Sequence, residues 1–333
     1  MPEKDNIIQI SILLAARNEE HNIERCLRSL DALNFPKESI EIIIGDDDSD
    51  DHTADIILDY IQRKQQFKYV KITEQLAGLK GKANVLAQLA HHATGKYFFF
   101  VDADIAVPTT WLTHMLLHFG QNTGVVVGLT RMKKSHLLAD FLSMEWLYAL
   151  SVTRLASFFQ VPITGMGNNM AVTREAYFAI GGYEKIGFSI VEDYTLFMSI
   201  VRKGYRFAQA YNPQILNISE PVNTFAELLK QRKRWMQGVM QSFWVTKWSL
   251  IISSQLVPFL LILAYWYPAI SLLMIGLHYA LTTVTALIAI TILKQKDLWK
   301  AAILFWFYVT GMGGIMLINY ILPGQMEWKG RKY

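Results

Sequence analysis

The feature that most constrains this chain is a gap in its charge. From Ser249 to Leu293, 45 positions in a row, no residue is Asp, Glu, Lys or Arg. A water-facing helix needs a polar stripe, and this run offers none. A membrane-crossing helix takes about 20 apolar residues, so the run has room for two, with a tight turn near Tyr265–Pro268. A second uncharged run, Ala301–Met326, is again one span long. The expected apolar segments are residues 249–267, 269–293 and 301–322, separated before the last by the short basic loop Lys294–Lys300.

The remaining charge is distributed accordingly. Of 32 Lys and Arg and 28 Asp and Glu, six and two respectively lie in residues 249–333. The first 248 residues therefore carry 26 of each sign, and the net +4 belongs to the tail. A neutral front is unlike a basic nucleic-acid-binding protein, so no nucleic-acid partner is expected. The organisation implied is a soluble domain joined to an integral membrane tail. Lys and Arg in short loops mark the cytoplasmic side, which places 294–300 and the front domain there. A third full span would put the basic end, Glu327–Tyr333, outside; parity and charge disagree, and a re-entrant or interfacial element would reconcile them. The opening Met1-Pro2-Glu3-Lys4-Asp5 lacks the apolar core of a secretory signal. The single cysteine, Cys26, permits no internal disulfide and sits in a helical apolar pattern as a small core residue.

In the front, apolar runs at Ile8–Ala15, Ile40–Gly45, Lys68–Ile72, Tyr97–Val101 and Val125–Leu129 alternate with helix-like stretches at Glu20–Leu33, Thr53–Arg63, Lys82–His92 and Thr110–His118. Alternation of this kind predicts an α/β domain with a mostly parallel sheet. Near-continuous apolarity suits strands covered on both faces. Ligands of such sheets bind beyond the carboxyl ends of the strands. Three strands end in chemically loaded sequence: Ala16-Arg17-Asn18-Glu19, Asp46-Asp47-Asp48-Ser49-Asp50-Asp51 and Asp102-Ala103-Asp104. That many carboxylates on one edge repel unless a cation or donors are present. A hard divalent ion shared with a phosphate ligand would relieve them. Asp48, Asp50 and Asp51 also read as a polar loop and helix cap.

These motifs, in this order, resemble the family 2 glycosyltransferases with a GT-A fold. The opening resembles Ile12–Glu20, with Ala15 where a proline is usual. The remaining matches are Asp46–Thr53, the DxD motif Asp102-Ala103-Asp104, Gly165–Ala171 with Gly181-Gly182-Tyr183, the pair Glu192-Asp193, and Gln231-Arg232-Lys233-Arg234-Trp235 as QxxRW. The resemblance covers residues 7–248 and the general plan of a membrane tail. It implies a Rossmann-like GT-A domain over 1–224, an interfacial amphipathic helix over 225–248 and a membrane domain over 249–333.

The resemblance also implies roles. Asp47, with Asp46, would accept the uracil N–H of a uridine nucleotide, in a pocket lined by Ala16 and Glu19. Lys82 would sit at the nucleotide. Asp104, helped by Asp102, would hold Mg2+ or Mn2+ against the diphosphate. Asp193 would be the general base that deprotonates an acceptor hydroxyl for an inverting displacement, with Glu192 tuning it. Gln231, Arg234 and Trp235 would serve the donor, Arg as a planar fork for phosphate and Trp as a flat face for a sugar. The expected activity is transfer of a sugar from a nucleotide sugar, a UDP-sugar by preference, to a lipid or other membrane-associated acceptor. The alternative is a processive polysaccharide synthase working with additional subunits. The ending Trp328–Tyr333 resembles the cytosolic end of lipid-modifying relatives. In a bacterium the enzyme would lie in the inner membrane with its catalytic domain in the cytoplasm.

Overall fold

The structure is a computed structural model. It describes residues 8–322 except 77, 223, 242 and 243, and also 327–328 and 331–332; side chains are described for all of these but 237–239, 241, 244–246, 249, 250, 253 and the last four. In chain order the elements are β1 (Ile10–Ala16), α1 (Ile23–Asp31), β2 (Ile40–Asp46), α2 (Thr53–Ile61), β3 (Phe67–Lys71), α3 (Gly81–His92), β4 (Tyr97–Asp102), β5 (Ile105–Ala106), α4 (Trp111–Leu116), β6 (Thr123–Val127), β7 (Leu129–Met132) and α5 (Leu137–Phe158). There follow β8 (Met170–Thr173), α6 (Arg174–Ala179), α7 (Gly182–Ile186), α8 (Glu192–Arg202), β9 (Arg206–Gln209), β10 (Leu216–Ser219), α9 (Phe225–Gln241), α10 (Trp244–Leu263), α11 (Pro268–Ile292), α12 (Trp299–Ile321), β11 (Glu327–Trp328) and β12 (Arg331–Lys332).

The chain forms two compact units. One takes the chain up to Thr130 together with Thr153–Glu220; the other takes Arg131–Val152 and the chain from Pro221 onward. From sequence alone, residues 131–152 fall in the catalytic domain. They group with the second unit because Met132, Ala139 and Leu142 build its core with Leu228 and Met312.

The first unit is organised on a seven-stranded sheet ordered β3-β2-β1-β4-β8-β6-β9. β3, β2, β1 and β4 are mutually parallel, and β8 runs antiparallel to both its neighbours. The mostly parallel sheet expected from the alternating runs is present. β1 and β2 are apolar along nearly their whole length because helices cover both faces, and Ile12, Leu13, Ile42, Ile43 and Phe98–Phe100 are buried. Burying each large side chain of this kind contributes roughly 1.5–3 kcal/mol. Gly45 lets α3 approach β2: a Cβ there would lie 2.4 Å from Val85 Cγ1. At the opposite end from the strand carboxyl termini, buried Glu41 accepts hydrogen bonds from Ser11 Oγ (2.6 Å), Thr94 N (2.6 Å), Thr94 Oγ1 (2.9 Å) and Lys68 Nζ (2.6 Å). One carboxylate so ties together β1, β2, β3 and the turn before β4. A small second sheet is ordered β5-β10-β7; β7 lies where the sequence shows least pattern.

In the second unit, α10 and α11 are joined by the turn expected before Pro268, and Pro258 lies inside α10. Two helical stretches, Pro268–Ile292 and Lys296–Ile321, are long and apolar enough to cross a membrane. Their outer faces expose Leu272, Leu277, Leu281, Phe307, Ile318 and Ile321, each more than half accessible. Contiguous exposed apolar surface of this kind marks a lipid or protein contact face. Trp306 Nε1 donates to His278 Nδ1 at 2.9 Å, pairing α11 with α12. The loop between them is clasped by Arg131, whose guanidinium donates to both oxygens of Asp297 (3.1 and 2.9 Å) and to Gln295 Oε1. The expectation for the chain's end falls on residues whose side chains lie outside those described; their backbone forms the antiparallel pair β11–β12.

Candidate active site

Strand register brings the acidic segments together. Ala16 stands beside Asp46, and Ala15 beside Asp102, across adjacent parallel strands. The β1–α1 and β2–α2 loops are then laced by backbone-directed bonds. Asn18 N donates to Ser49 Oγ (3.1 Å), Glu19 N to Thr53 Oγ1 (2.7 Å), and Glu20 N to Asp51 Oδ2 (3.1 Å). Asp51 also accepts from Thr53 N at the start of α2 (2.9 Å), the helix-start role that competes with ligand binding for it. Arg17 donates to the carbonyls of Asp47 and Asp48. Asn18 and Asp48 take positive φ values of 51° and 56° at the two sharp turns, a conformation that Asn and Asp tolerate better than other side chains.

The two carboxylates after β2 differ in setting. Asp46 accepts from Ser49 Oγ (2.5 Å), Ser49 N (3.2 Å) and Tyr69 OH (3.0 Å), so its contacts lie within the loop and β3. Asp47 is also buried; its N–H donates to Ala16 O (2.9 Å), which places it directly over the end of β1.

The centre of the edge is a cation between carboxylates. Lys82, in the first turn of α3, reaches Asp102 Oδ1 at 2.5 Å and Glu192 Oε1 at 3.2 Å. Burial works to lower its pKa, but Asp102, Glu192 and Asp193 outweigh it and hold the ammonium charged. Glu192 is pushed up by burial and by Asp193 and Asp102, against the pull of Lys82. α8 begins at Glu192 itself, two residues earlier than its apolar pattern suggests, so Glu192 and Asp193 occupy its first turn. There Asp193 accepts from Gly167 N through Oδ2 (2.7 Å) and from Tyr194 N through Oδ1 (2.7 Å). Two glycines leave room for this approach, most tightly at Gly165. A Cβ on Gly167 would stand 3.0 Å from both Asp193 Cβ and Lys82 Nζ, and one on Gly165 2.7 Å from Asp193 O.

Asp104, two residues beyond Asp102, is half-buried and accepts from Ser219 Oγ at 2.8 Å. Its pKa is pushed up to about 6 by burial, then by Asp102 and Glu19. Excess negative charge at that oxygen set is what a hard cation would relieve. Among the described residues no group of three or more His, Cys, Asp or Glu is placed to hold a metal ion. Two carboxylates suffice where the remaining ligands come from phosphate and water, so Asp102 and Asp104 fit Mg2+ or Mn2+. Sequence reasoning missed Arg25, which donates to the Asp104 carbonyl and pairs with Glu220 (3.2 Å), and missed Ser219. No local pattern announces them; each is distant in sequence from its partner.

Gln231, Arg234 and Trp235 lie on α9 in the second unit. Read from sequence, Lys230, Arg232, Lys233 and Arg234 form one basic interfacial cluster. Arg232 departs from it: its side chain is fully buried, because Glu145 of α5 lies 2.6 Å away and supplies its counter-charge. Over the described residues of the expected element 225–248, the chain is helical, as α9 over Phe225–Gln241 and α10 from Trp244 onward.

An open sheet whose parallel strands end in a carboxylate cluster around Lys82, with one antiparallel strand beside β4, defines the GT-A type of glycosyltransferase. The chain belongs to Glycosyl transferase family 21, whose profile it matches over residues 2–333. The resemblance to family 2 enzymes thus holds at the level of glycosyltransferase class and fold. Among curated proteins, the chain is 28% identical over 251 residues to a poly-beta-1,6-N-acetyl-D-glucosamine synthase of Staphylococcus epidermidis, covering 73% of this chain and 58% of that protein. It is 29% identical over 244 residues to a beta-monoglucosyldiacylglycerol synthase of Synechocystis, covering 71% and 48%. The chain therefore spans about half the length of the curated relatives it matches. A mannosyltransferase from Pyrobaculum calidifontis, solved with GDP-Man and Mn2+, superposes with a TM-score of 0.57 at 18% identity over 90% of this chain and 87% of that one. At that identity the likeness concerns the fold.

Proposed function

We propose that this glycosyltransferase is a membrane-bound, inverting enzyme that moves one sugar from a UDP-sugar to a hydroxyl of a lipid acceptor. The observation that carries the reading is the placement of Asp193. Its carboxylate is held by two backbone N–H groups at the mouth of a site whose other members, Lys82, Asp102 and Asp104, suit a nucleotide diphosphate. Those two bonds fix the orientation of the carboxylate, as a positioned general base requires. Asp193 takes the proton of the acceptor hydroxyl as that oxygen attacks the anomeric carbon opposite the diphosphate. Glu192 and Lys82 set the local charge. Asp47, with Ala16 and Glu19, forms the base pocket, and Asp46 braces it. The motif residues Gln231, Arg234 and Trp235 are assigned to the donor through the QxxRW resemblance. Asp102 and Asp104 would hold Mg2+ or Mn2+, which would supply charge stabilisation to the departing diphosphate.

The two apolar stretches support a membrane setting, with the catalytic unit on the cytoplasmic side. The likeness to a glucosyldiacylglycerol synthase supports a lipid acceptor. The likeness to a poly-N-acetylglucosamine synthase supports a second reading, a processive synthase. The two membrane-length apolar stretches among the described residues do not enclose a polymer channel by themselves, so that reading calls for additional helices or subunits. The deciding experiment incubates detergent-purified protein with UDP-glucose, UDP-N-acetylglucosamine and GDP-mannose in turn, with membrane lipid extract, and weighs the products. A lipid carrying one added hexose supports the proposal; a long polymer, or no transfer from any UDP-sugar, refutes it.

A further inference from the structure

Three helices of the second unit meet at a single oxygen. Glu145 Oε2, on α5, accepts from Arg232 Nη2 of α9 at 2.6 Å and from Tyr308 OH of α12 at 3.0 Å. Arg232 is 0% exposed and lies with its guanidinium carbon 4.1 Å from the centroid of the Trp235 ring. The Trp235 ring also meets that of Trp146, edge to face at 5.4 Å. A buried arginine is tolerated only with a paired carboxylate, and a planar guanidinium on an indole face constrains the ring it covers. α12 and the residue after it also bond α9 directly: Asn319 Nδ2 donates to Leu229 O at 2.9 Å, and Lys233 Nζ to Leu322 O at 2.7 Å.

We infer that Glu145 and Arg232 are positioning residues that hold the indole of Trp235 in one orientation, and that Tyr308 makes this orientation depend on α12. The inference rests on the reading of Trp235 as a donor-site residue only for its effect on transfer. Trp235 has two neighbours, Arg232 and Trp146, so loosening Arg232 leaves the Trp235 ring held by Trp146 alone. The apolar helix α12 is then a splint for the motif helix, and not merely an anchor.

The test uses full-length protein in detergent. The Trp146–Trp235 pair gives an exciton couplet in the far-ultraviolet circular dichroism, identified as the part lost in both Trp146→Phe and Trp235→Phe. Glu145→Gln and Tyr308→Phe are expected to weaken that couplet, Glu145→Gln by more than half, while helical content is retained. Tyr308→Phe removes one hydroxyl and keeps the proposal testable if Glu145→Gln does not fold. A couplet unchanged in Tyr308→Phe and in folded Glu145→Gln overturns the inference. Transfer is then measured from whichever UDP-sugar turns over. Glu145→Gln is expected to lower kcat/KM about tenfold in the wild-type background and by less than twofold in a Trp235→Ala background, since coupled residues act non-additively. Equal losses in both backgrounds overturn the inference. Unchanged transfer in Trp235→Ala, with the couplet responding as stated, instead sinks the donor-site reading of the motif and leaves the positioning intact.

Discussion

Lys82 invites the sharpest test, because its loss should be felt before any substrate is added. Its ammonium lies 2.5 Å from Asp102 and 3.2 Å from Glu192, and its side chain is only 16% exposed. Lys82→Met keeps the approximate volume and removes the charge. Breaking a buried ion pair from one side costs about 3–5 kcal/mol. Asp102 is 34% exposed, so water screens part of that loss and the lower end, about 3 kcal/mol, is expected. At roughly 2–4 °C per kcal/mol for a unit of this size, the melting midpoint should fall by about 6–12 °C. Thermal unfolding in detergent, with chelator present, measures this. Millimolar Mg2+ or Mn2+ should restore part of the loss, because a divalent cation supplies the missing positive charge. A variant that melts with the wild type in chelator would refute the electrostatic account of the cluster. A variant that melts early but is indifferent to metal would refute the assignment of Asp102 to a cation site.

Four further outcomes are expected. Asp193→Asn should abolish transfer while calorimetric binding of the nucleotide sugar survives; normal turnover would remove Asp193 as the base. Gly167→Ala places a methyl 3.0 Å from Lys82 Nζ and Asp193 Cβ, and should cut kcat at least tenfold, the cost typical of a misplaced reacting group, with donor affinity nearly unchanged. Chelation should weaken nucleotide-sugar binding in equilibrium titrations of the wild type, and full affinity in excess chelator would count against Asp102 and Asp104 as metal ligands. Glu41 is opposed by burial, yet Lys68, Ser11 and Thr94 depress its pKa below the ordinary value. Its stabilisation is therefore complete above the unfolded carboxylate pKa of about 4.3, and is lost as pH falls through the lower folded value. Glu41→Gln should be about 2–3 kcal/mol less stable at pH 7, and denaturant titrations should show the gap closing below about pH 4.

Much of the catalytic unit was legible from local pattern. The strands announced themselves as apolar runs, and their carboxyl ends as abrupt acids, because a parallel sheet forces both. The register of Ala16 on Asp46 and Ala15 on Asp102 turned three loops into one edge. Pairings across long sequence separations were not legible. Nothing near Lys82 names Glu192 as its partner, and nothing in Gln231–Trp235 shows that Arg232, not a motif position, is the buried charge. Period counts register which face of a helix is apolar; they do not register that Glu145 makes the interior hospitable to one arginine. β7 was missed for a similar reason, since a short strand in an unpatterned connector exists only through its neighbours. The grouping of residues 131–152 with the second unit likewise depends on Leu228 and Met312, which lie far along the chain.

The clasp on the loop after α11 bears on how the protein is made. Arg131 and Asp297 are 166 residues apart. At a synthesis rate of about 5–20 residues per second, the arginine precedes its partner by roughly 8–33 s. Through that interval the second unit lacks both its clasp and the helix that carries Tyr308. A ribosome-bound or truncated chain ending before Asp297 therefore displays Arg131 without its carboxylate. Closure of that ion pair is a late event in biogenesis, and it marks a chain in which α11 and the loop after it have been delivered.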